Sequence, residues 1–275
     1  MYEQLGDGRM AQREYGNALE MLSQIENSSI RGIILANIAS AYSEFGDVDS
    51  AQYFFKETIE IAQANDNQGA EALRLGNYGR LLALTNQPKQ ALAQIMQAQK
   101  MNKDLDLALQ SAIMLNNLGL AYSMMNEHES AIEQYEFALE QLTTLNSKQW
   151  IAQVQANLGD IYYAQEDFTK ADEYYDSAYT LAKPLNIVAV LIQTLIGQAL
   201  NALYQNDLEI AQQKLAEAEP LAKRLNYQRL LAFHLQAQSQ LYAKQNKPDE
   251  ALSAWDDAKK IRSIMQMPPI DPDWL

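Results

Sequence analysis

The chain repeats a pattern every 40 residues, and this repetition constrains its fold more than any other feature. One small residue per repeat marks the phase, and the alanines concerned are Ala51, Ala91, Ala131, Ala171, Ala211 and Ala251. A fixed period of roughly 20 to 50 residues is typical of solenoids, in which each repeat contacts only its neighbours in the sequence. We therefore expect a single solenoid over residues 1–266, followed by a proline-rich tail at residues 267–275.

The apolar residues of each repeat lie three and four positions apart, which predicts α-helices. The fourth repeat shows two such stripes most clearly, namely Leu115, Leu118, Gly119 and Tyr122, followed by Ala131, Tyr135 and Ala138. A short polar segment rich in Asn, Asp, Gly and Pro separates the stripes, as a tight helix–helix connection requires. Each repeat is therefore predicted to be a hairpin of two helices, A and B, with small residues such as Gly119 and Ala131 where they cross. The aromatic side chain at the Tyr135 position is expected to fill the space towards the next hairpin.

This arrangement resembles the tetratricopeptide repeat, and the resemblance rests on the residues of the two stripes together with their copies. It implies an all-α solenoid of about seven hairpins, hence about fourteen helices, wound into a right-handed superhelix without β-sheet. The repeat boundaries are expected near 1–27, 28–66, 67–105, 106–146, 147–185, 186–225 and 226–266. The usual repeat has about 34 residues, and the longer repeats here are similar in length to those of kinesin light chain, the Pins-type adaptors, the Rap proteins and the regulator MalT. We expect the additional residues to be helical and to lie around the junction from helix B to the next helix A.

The chain is acidic, with a formal net charge of −14 and a sequence pI of about 4.6. This charge disfavours nucleic acid and anionic membranes as partners, because both attract basic proteins. The absence of cysteine excludes disulfide bonds but does not indicate a compartment. No signal peptide or transmembrane segment is visible in the sequence. A cytoplasmic location is therefore expected, with a periplasmic one left open for a trimmed chain.

The two ends of the chain lack the polar capping helix with which a solenoid usually terminates. The first repeat keeps the pattern, and its register is marked by Tyr2, Leu5, Gly6, Ala18, Leu22 and Ile25. Three interpretations of the ends stay open: self-association through them, membership of a longer protein, or a tail that folds back through Ile270, Trp274 and Leu275.

An asparagine recurs in four successive A helices, and this asparagine ladder comprises Asn37, Asn77, Asn117 and Asn157. Each member lies one position before a core residue, which turns its side chain by about 100° from the buried stripe. The resemblance places this face on the concave surface of the solenoid, and similar ladders clamp peptide backbones in kinesin light chain and Pins-type proteins. An amide both donates and accepts hydrogen bonds, as binding to an extended peptide requires. The alternative is that each amide bonds locally to the neighbouring helix.

The same helical phase brings further, mostly uncharged side chains to the predicted groove. The additional peptide-binding candidates are Arg80, Asn116, Leu120, Met124, Gln153, Asp160, Tyr163, Leu200 and Tyr204, and Gln193 and Phe233 share their face. Arg80 and Lys244 are the only basic residues on the predicted concave face. So sparse a positive charge argues against a clamp for a peptide carboxylate.

The sequence contains no recognisable catalytic or metal-binding motif. His128 and His234 have no Cys or second His at ligand spacing, and no nucleophile elbow, Walker loop or paired-carboxylate motif occurs. We therefore predict no enzymatic activity and no cofactor, and we interpret the tyrosines at 162, 163, 174 and 175 as packing residues. The predicted function is a scaffold that binds a peptide segment of a partner protein in the groove. The alternative is a ligand- or peptide-sensing regulatory solenoid within a larger transcription or signalling protein.

Overall fold

The computed structural model describes residues 8–268, which form thirteen α-helices and no β-strand. Their bounds are α1 Gly8–Met21, α2 Ser28–Phe45, α3 Val48–Ala64, α4 Gln68–Leu84, α5 Pro88–Asp104, α6 Ala108–Ser123, α7 His128–Thr144, α8 Lys148–Ala164, α9 Phe168–Leu185, α10 Val188–Tyr204, α11 Leu208–Leu225, α12 Gln228–Lys244 and α13 Pro248–Ile264. This architecture confirms the predicted all-α fold class. Because the connections from α2 onward are short, the additional residues of the long repeat are helical, as expected.

The helices form two compact units, and each is built of antiparallel hairpins. The N-terminal unit, residues 10–146, contains the hairpins α2–α3, α4–α5 and α6–α7, preceded by α1 and a 3₁₀ turn at Leu22–Gln24. The C-terminal unit, residues 147–268 among those described, contains the hairpins α8–α9, α10–α11 and α12–α13. Successive A helices touch within each unit: α2, α4 and α6 in the first, and α8, α10 and α12 in the second. They form a surface in each unit that we call the A-helix face.

A left-handed backbone residue ends a helix once every 20 residues and turns the chain into the next helix. Its φ lies between 51° and 63° at Asp66, Asn86, Asp106, Asn126, Asn146, Glu166, Asn186, Asn206, Asn226, Asn246 and Gln266, and is 94° at Gly46. Asparagine and glycine tolerate this conformation better than other residues, which explains their enrichment in the polar segments of the sequence. The 40-residue repeat is thus two helix–turn units of equal length.

The next helix often begins with an acidic or amide side chain that accepts a hydrogen bond from the first turn. The caps that do so are Asn27, Asp47, Asn67, Asp167 and Asp207, each bonded to the N–H three residues later at 3.0–3.2 Å. Such a cap satisfies a backbone donor that would otherwise have no partner and contributes about 0.5–2 kcal/mol of helix stability. The turn chemistry therefore stops one helix and starts the next within a few residues.

Small residues lie where the two helices of a hairpin cross, as the sequence predicts. Ala131 and Ala171 are completely buried. A Cβ added to Gly119 would lie 2.6 Å from the ring of Tyr135, so glycine is required for this close approach. The crossing is therefore closed by an alanine from helix B and by an aromatic ring that rests on a glycine of helix A.

Only part of the first repeat can be compared with its prediction. Tyr2, Leu5 and Gly6, and the tail residues Ile270, Trp274 and Leu275, lie outside the described residues. Leu22 packs with Leu35 and Ile38 of α2, and Ala18 and Ile25 lie against this cluster. Between residues 8 and 268, none of the helices combines the length and the apolar character needed to cross a membrane.

Candidate functional site

The asparagine ladder has three members in the N-terminal unit, and their surroundings differ. Asn37 is exposed and Asn77 is half-buried, whereas Asn117 is only 2% exposed. The Asn117 side chain donates a hydrogen bond of 3.4 Å to the carbonyl oxygen of Gly76, on the preceding A helix, and accepts one of 3.4 Å from Asn116. Asn117 therefore matches the local-bonding alternative, while Asn37 keeps its amide at the surface.

The other candidates of the N-terminal unit include one charged side chain. Arg80 on α4 forms an ion pair with Glu44 on α2. Leu120 and Met124 are half-buried near the end of α6, and Asn116 is buried. The arginine that was predicted to contact a ligand is thus neutralised by the neighbouring repeat.

In the C-terminal unit, polar side chains from two adjacent A helices form one hydrogen-bonded cluster. Gln193 on α10 donates to Asn157 Oδ1 at 3.1 Å and to Asp160 Oδ2 at 2.7 Å, both on α8. Gln153 donates to the same Asn157 oxygen at 3.1 Å and to Gln193 Oε1 at 3.1 Å. The Tyr175 hydroxyl donates to Asp160 Oδ1 at 2.9 Å. The structure thus brings together three of the predicted residues, Gln153, Asn157 and Asp160.

Asp160 has an unusual electrostatic environment within this cluster, which we call the amide–carboxylate cluster. Its side chain remains accessible to solvent. The protein around it nevertheless raises its pKa to about 6, because desolvation disfavours the charged form. The hydrogen bonds from Gln193 and Tyr175, and the more distant charge of Arg229, act in the opposite direction and lower this pKa. Asp160 is therefore a solvent-accessible carboxyl group whose two hydrogen-bond donors are neutral side chains.

Three aromatic side chains lie at the end of the same face. Tyr204, at the end of α10, is 58% exposed, and its ring stacks on Phe168 with centroids 3.8 Å apart. Tyr163, at the end of α8, meets Phe168 edge-on at 5.7 Å. Leu200, one turn before Tyr204, is half-buried. Tyr163 and Tyr204 were predicted for the site, whereas Phe168, in the first turn of helix B, was missed.

The sixth repeat has Gln198 and Ala199 at the positions where the fifth repeat has Leu158 and Gly159. In the structure, Gln198 donates a hydrogen bond to Asp176 on the preceding B helix. Gly197, one position earlier, supplies the close approach, because a Cβ there would lie 2.2 Å from the ring of Tyr175. The glycine lies two positions before the one that the repeat predicts, and a polar contact of Gln198 replaces that of the leucine.

The tyrosines at 162 and 174 are packing residues, as predicted. Their rings stack with centroids 5.3 Å apart, and Lys170 lies 4.8 Å from the centre of the Tyr162 ring. They border a shallow depression of about 300 Å³ lined by Gln155, Tyr162, Lys170, Glu173, Tyr174 and Ser177. None of these residues belongs to the predicted site. In the part of the chain that the structure describes, no group of three His, Cys, Asp or Glu residues could hold a metal ion.

The family comparison matches the centre of the chain. Residues 110–183 fit the family model described as tetratricopeptide repeat. This segment is therefore similar to the tetratricopeptide repeat. The matched segment includes the hairpin of Gly119 and Tyr135 and that of Asn157 and Asp160, whereas Gln193 lies beyond it. No curated protein sequence matches the chain.

Solved structures similar in fold to this chain include several Rap proteins. A Rap protein complexed with Competence and Sporulation Factor is 17% identical, with a TM-score of 0.75 over 93% of this chain and 70% of that chain. The Rap conjugation gene regulator of the plasmid pLS20, in complex with the Phr* peptide, is 18% identical, with a TM-score of 0.73 over 93% and 71%. Aspartyl phosphate phosphatase F from Bacillus subtilis is 16% identical, with a TM-score of 0.70 over 98% and 70%. At these identities the likeness concerns the fold.

Proposed function

We propose that this protein is a non-enzymatic interaction scaffold that binds a peptide segment of a partner on its A-helix face. The observation that carries the proposal is the amide–carboxylate cluster of the C-terminal unit. Gln153, Asn157 and Asp160 on α8 and Gln193 on α10 converge there within hydrogen-bond distance of one another. Such a set holds donors and acceptors in fixed positions, which is the property that recognition of a peptide backbone requires.

The spacing of the A helices suits an extended segment. Packed helices lie about 8–10 Å apart, and an extended chain advances about 3.3 Å per residue. About three residues of peptide therefore span the distance between successive A helices, so each hairpin meets a similar part of the backbone. A ligand that crosses α8 and α10 would contact Asp160 first and Leu200 or Tyr204 next.

Asp160 retains acceptor capacity for such a ligand. An ionised carboxylate offers about four acceptor positions, and Tyr175 and Gln193 occupy one on each oxygen. Because the side chain is open to solvent, the remaining positions are accessible to a peptide N–H or to a charged side chain.

The comparison structures support a peptide as the ligand. Two of the similar solved structures, a Rap protein with Competence and Sporulation Factor and the pLS20 regulator with the Phr* peptide, are complexes of the same fold. In the N-terminal unit, the exposed Asn37 and the half-buried Asn77 remain candidates for contacts to such a segment. The regulatory alternative requires the same binding step, followed by a change of shape, and stays a prediction.

The proposal is tested by selecting peptides from a random display library on the full-length chain. We expect families of related peptides that bind the native chain and a Gln213→Ala control equally well, because Gln213 is an exposed residue of helix α11. A double variant, Asn157→Ala with Gln193→Ala, should bind the same peptides about tenfold more weakly, the factor that corresponds to 1.4 kcal/mol. Circular dichroism of all three proteins establishes that they are folded. Failure to enrich any peptide above the level recovered on an unrelated helical protein would overturn the proposal.

A further inference from the structure

We infer that Asp160 and the aromatic cluster of Tyr163, Phe168 and Tyr204 select a segment that carries a lysine or arginine side chain. This inference rests on the proposed function, because it specifies which peptide the A-helix face of the C-terminal unit prefers. The inference concerns a side chain of the bound peptide, whereas the proposed function concerns the peptide backbone.

The charge of Asp160 is not paired with a basic side chain among residues 8–268. Its hydrogen-bond donors, Tyr175 and Gln193, are both neutral. Among residues 8–268, no lysine or arginine forms an ion pair with it, and Arg229 acts only through its more distant charge. By contrast, Arg80 of the N-terminal unit is already paired with Glu44. An accessible carboxylate with neutral partners attracts a cation from the ligand.

Aromatic side chains lie next to this carboxylate. Tyr163 lies three residues after Asp160 on α8, and residues at this separation are neighbours on a helix surface. Tyr163 contacts Phe168, on which the exposed ring of Tyr204 is stacked. A cation within about 6 Å of an aromatic ring centre is attracted by the ring. The stem of a lysine or arginine also packs well on such a surface, because it is apolar up to its charged end.

The distribution of positive charge favours a cation beside Asp160 and Tyr204 over one beside Phe233. Phe233 on α12 is the remaining aromatic candidate of the C-terminal unit, but the guanidinium groups of Arg229 and Arg262 each lie 5.6 Å from its ring centre. Positive charge is therefore already present beside Phe233 and would repel a second cation. Among residues 8–268, no lysine or arginine lies over the Tyr204 ring or forms an ion pair with Asp160, which Arg229 reaches only at longer range. The net charge of −14 also favours a cationic segment during approach.

The inference is tested with the same random-peptide library on the full-length chain. Selections on the native chain should enrich lysine or arginine at one position of the aligned peptides. Asp160→Asn should abolish this enrichment, while Asp256→Asn, which removes the same charge from an exposed position of helix α13, should leave it unchanged. Tyr204→Ala should weaken it, and this substitution at an exposed position gives a second result independent of any effect of Asp160→Asn on folding.

A synthetic copy of a selected peptide then measures the coupling directly. Replacing its basic residue by glutamine should weaken binding to the native chain and to Asp256→Asn by about tenfold, but binding to Asp160→Asn much less. Selected peptides without an enriched basic position, or an equal loss for the native chain and Asp160→Asn, would overturn the inference and leave the proposed function intact. Failure to select any peptide would instead overturn both.

Discussion

The ring of Tyr175 lies directly against Gly159, and a Cβ atom added to this glycine would be only 2.5 Å from Cε1 of the tyrosine. The same ring reaches the next hairpin, where a Cβ on Gly197 would lie 2.2 Å from its Cζ. The aromatic residue therefore fills the space towards the next hairpin, as predicted from its phase. Its hydroxyl then continues to Asp160, so the packing of the C-terminal unit and the geometry of its candidate site depend on one side chain.

We expect Gly159→Ala to destabilise the C-terminal unit by about 1–3 kcal/mol, because the added methyl group would displace the buried Tyr175 ring. Gly69→Ala is the matched control, since a Cβ there would have no neighbour closer than 3.8 Å. Helix propensity alone favours alanine over glycine by about 1 kcal/mol, so the control should be stabilised or unchanged. Urea unfolding followed by circular dichroism measures both. Equal midpoints for the two variants would show that the ring does not require the glycine.

Ala131→Leu should destabilise the hairpin α6–α7, because Ala131 is completely buried at the helix crossing. Overpacking of this kind costs about 1–3 kcal/mol. Ala93→Leu makes the same change at an exposed position of α5 and should have little effect. Thermal unfolding compares the two variants. An unchanged melting temperature for Ala131→Leu would contradict the placement of this alanine at the crossing.

The members of the asparagine ladder should respond differently to alanine. Asn117→Ala removes a buried hydrogen bond to Gly76 and should lower the free energy of unfolding by about 0.5–1.5 kcal/mol. Asn37→Ala should leave it unchanged or raise it slightly, because Asn37 is exposed and alanine is the better helix former. Denaturant unfolding of both variants provides the measurement. If both variants were equally destabilised, the two asparagines would share one role and the difference in burial would have no energetic meaning.

The repetition of the sequence predicts the helices, the crossings and the phase of the A-helix face. Residues at the same position of successive repeats can nevertheless have different neighbours, as the asparagine ladder shows. Asn117 meets Gly76 on the preceding A helix and bonds to its carbonyl group, whereas Asn157 receives the side chain of Gln193 from the following one. The partner that an asparagine meets in a neighbouring repeat depends on the non-repeating residues there. A periodic pattern contains no information about those residues.

The role of Tyr175 is a similar case. Its spacing identifies it as a packing residue, and the burial of its ring agrees with this interpretation. Only the structure shows that its hydroxyl group passes through the crossing and meets Asp160. The contact depends on the absence of side chains at Gly159 and Gly197, which lets the ring lie deep enough. Three positions in two repeats must therefore be considered together before the site can be recognised.

The titration of Asp160 should be displaced towards neutral pH. Desolvation by the surrounding protein raises its pKa to about 6 from the usual 3.8, so the folded protein holds this proton more tightly than the unfolded chain does. Between about pH 4 and 6 this residue should therefore make the free energy of unfolding fall as the pH rises, and Asp160→Asn should lack that contribution. Solvent access keeps the effect on stability small. The direct measurement is an NMR titration of the carboxyl carbon, and a midpoint near the ordinary value of about 3.9 would contradict the expectation.

Binding of the proposed cationic segment should depend on the same ionisation. A positive side chain favours the carboxylate form, so the affinity should rise as the pH increases from 5 to 8 and the pKa of Asp160 should fall in the complex. The groups that face Asp160 are Tyr175, Gln193 and, at longer range, Arg229, and none of them carries a charge that changes in this range. Calorimetric titration with a selected peptide at several pH values measures the effect. If the affinity of Asp160→Asn changed with pH as much as that of the native chain, the pH dependence would come from the peptide or from another residue.

Glu166→Asn should stabilise the turn between α8 and α9. Glu166 adopts a φ of 61°, in the left-handed region, where the equivalent turns have Asn86, Asn126, Asn206 and Asn246. Residues other than glycine and asparagine pay about 1–2 kcal/mol for this conformation, so asparagine should raise the free energy of unfolding by about half of that amount or more. The reciprocal change, Asn206→Glu, places the unfavourable residue in the equivalent turn of the next hairpin in the same unit and should lower stability by a similar amount. Thermal and urea unfolding of the two variants test this symmetry, and shifts in the same direction for both would show that backbone conformation does not decide the residue preference at these turns.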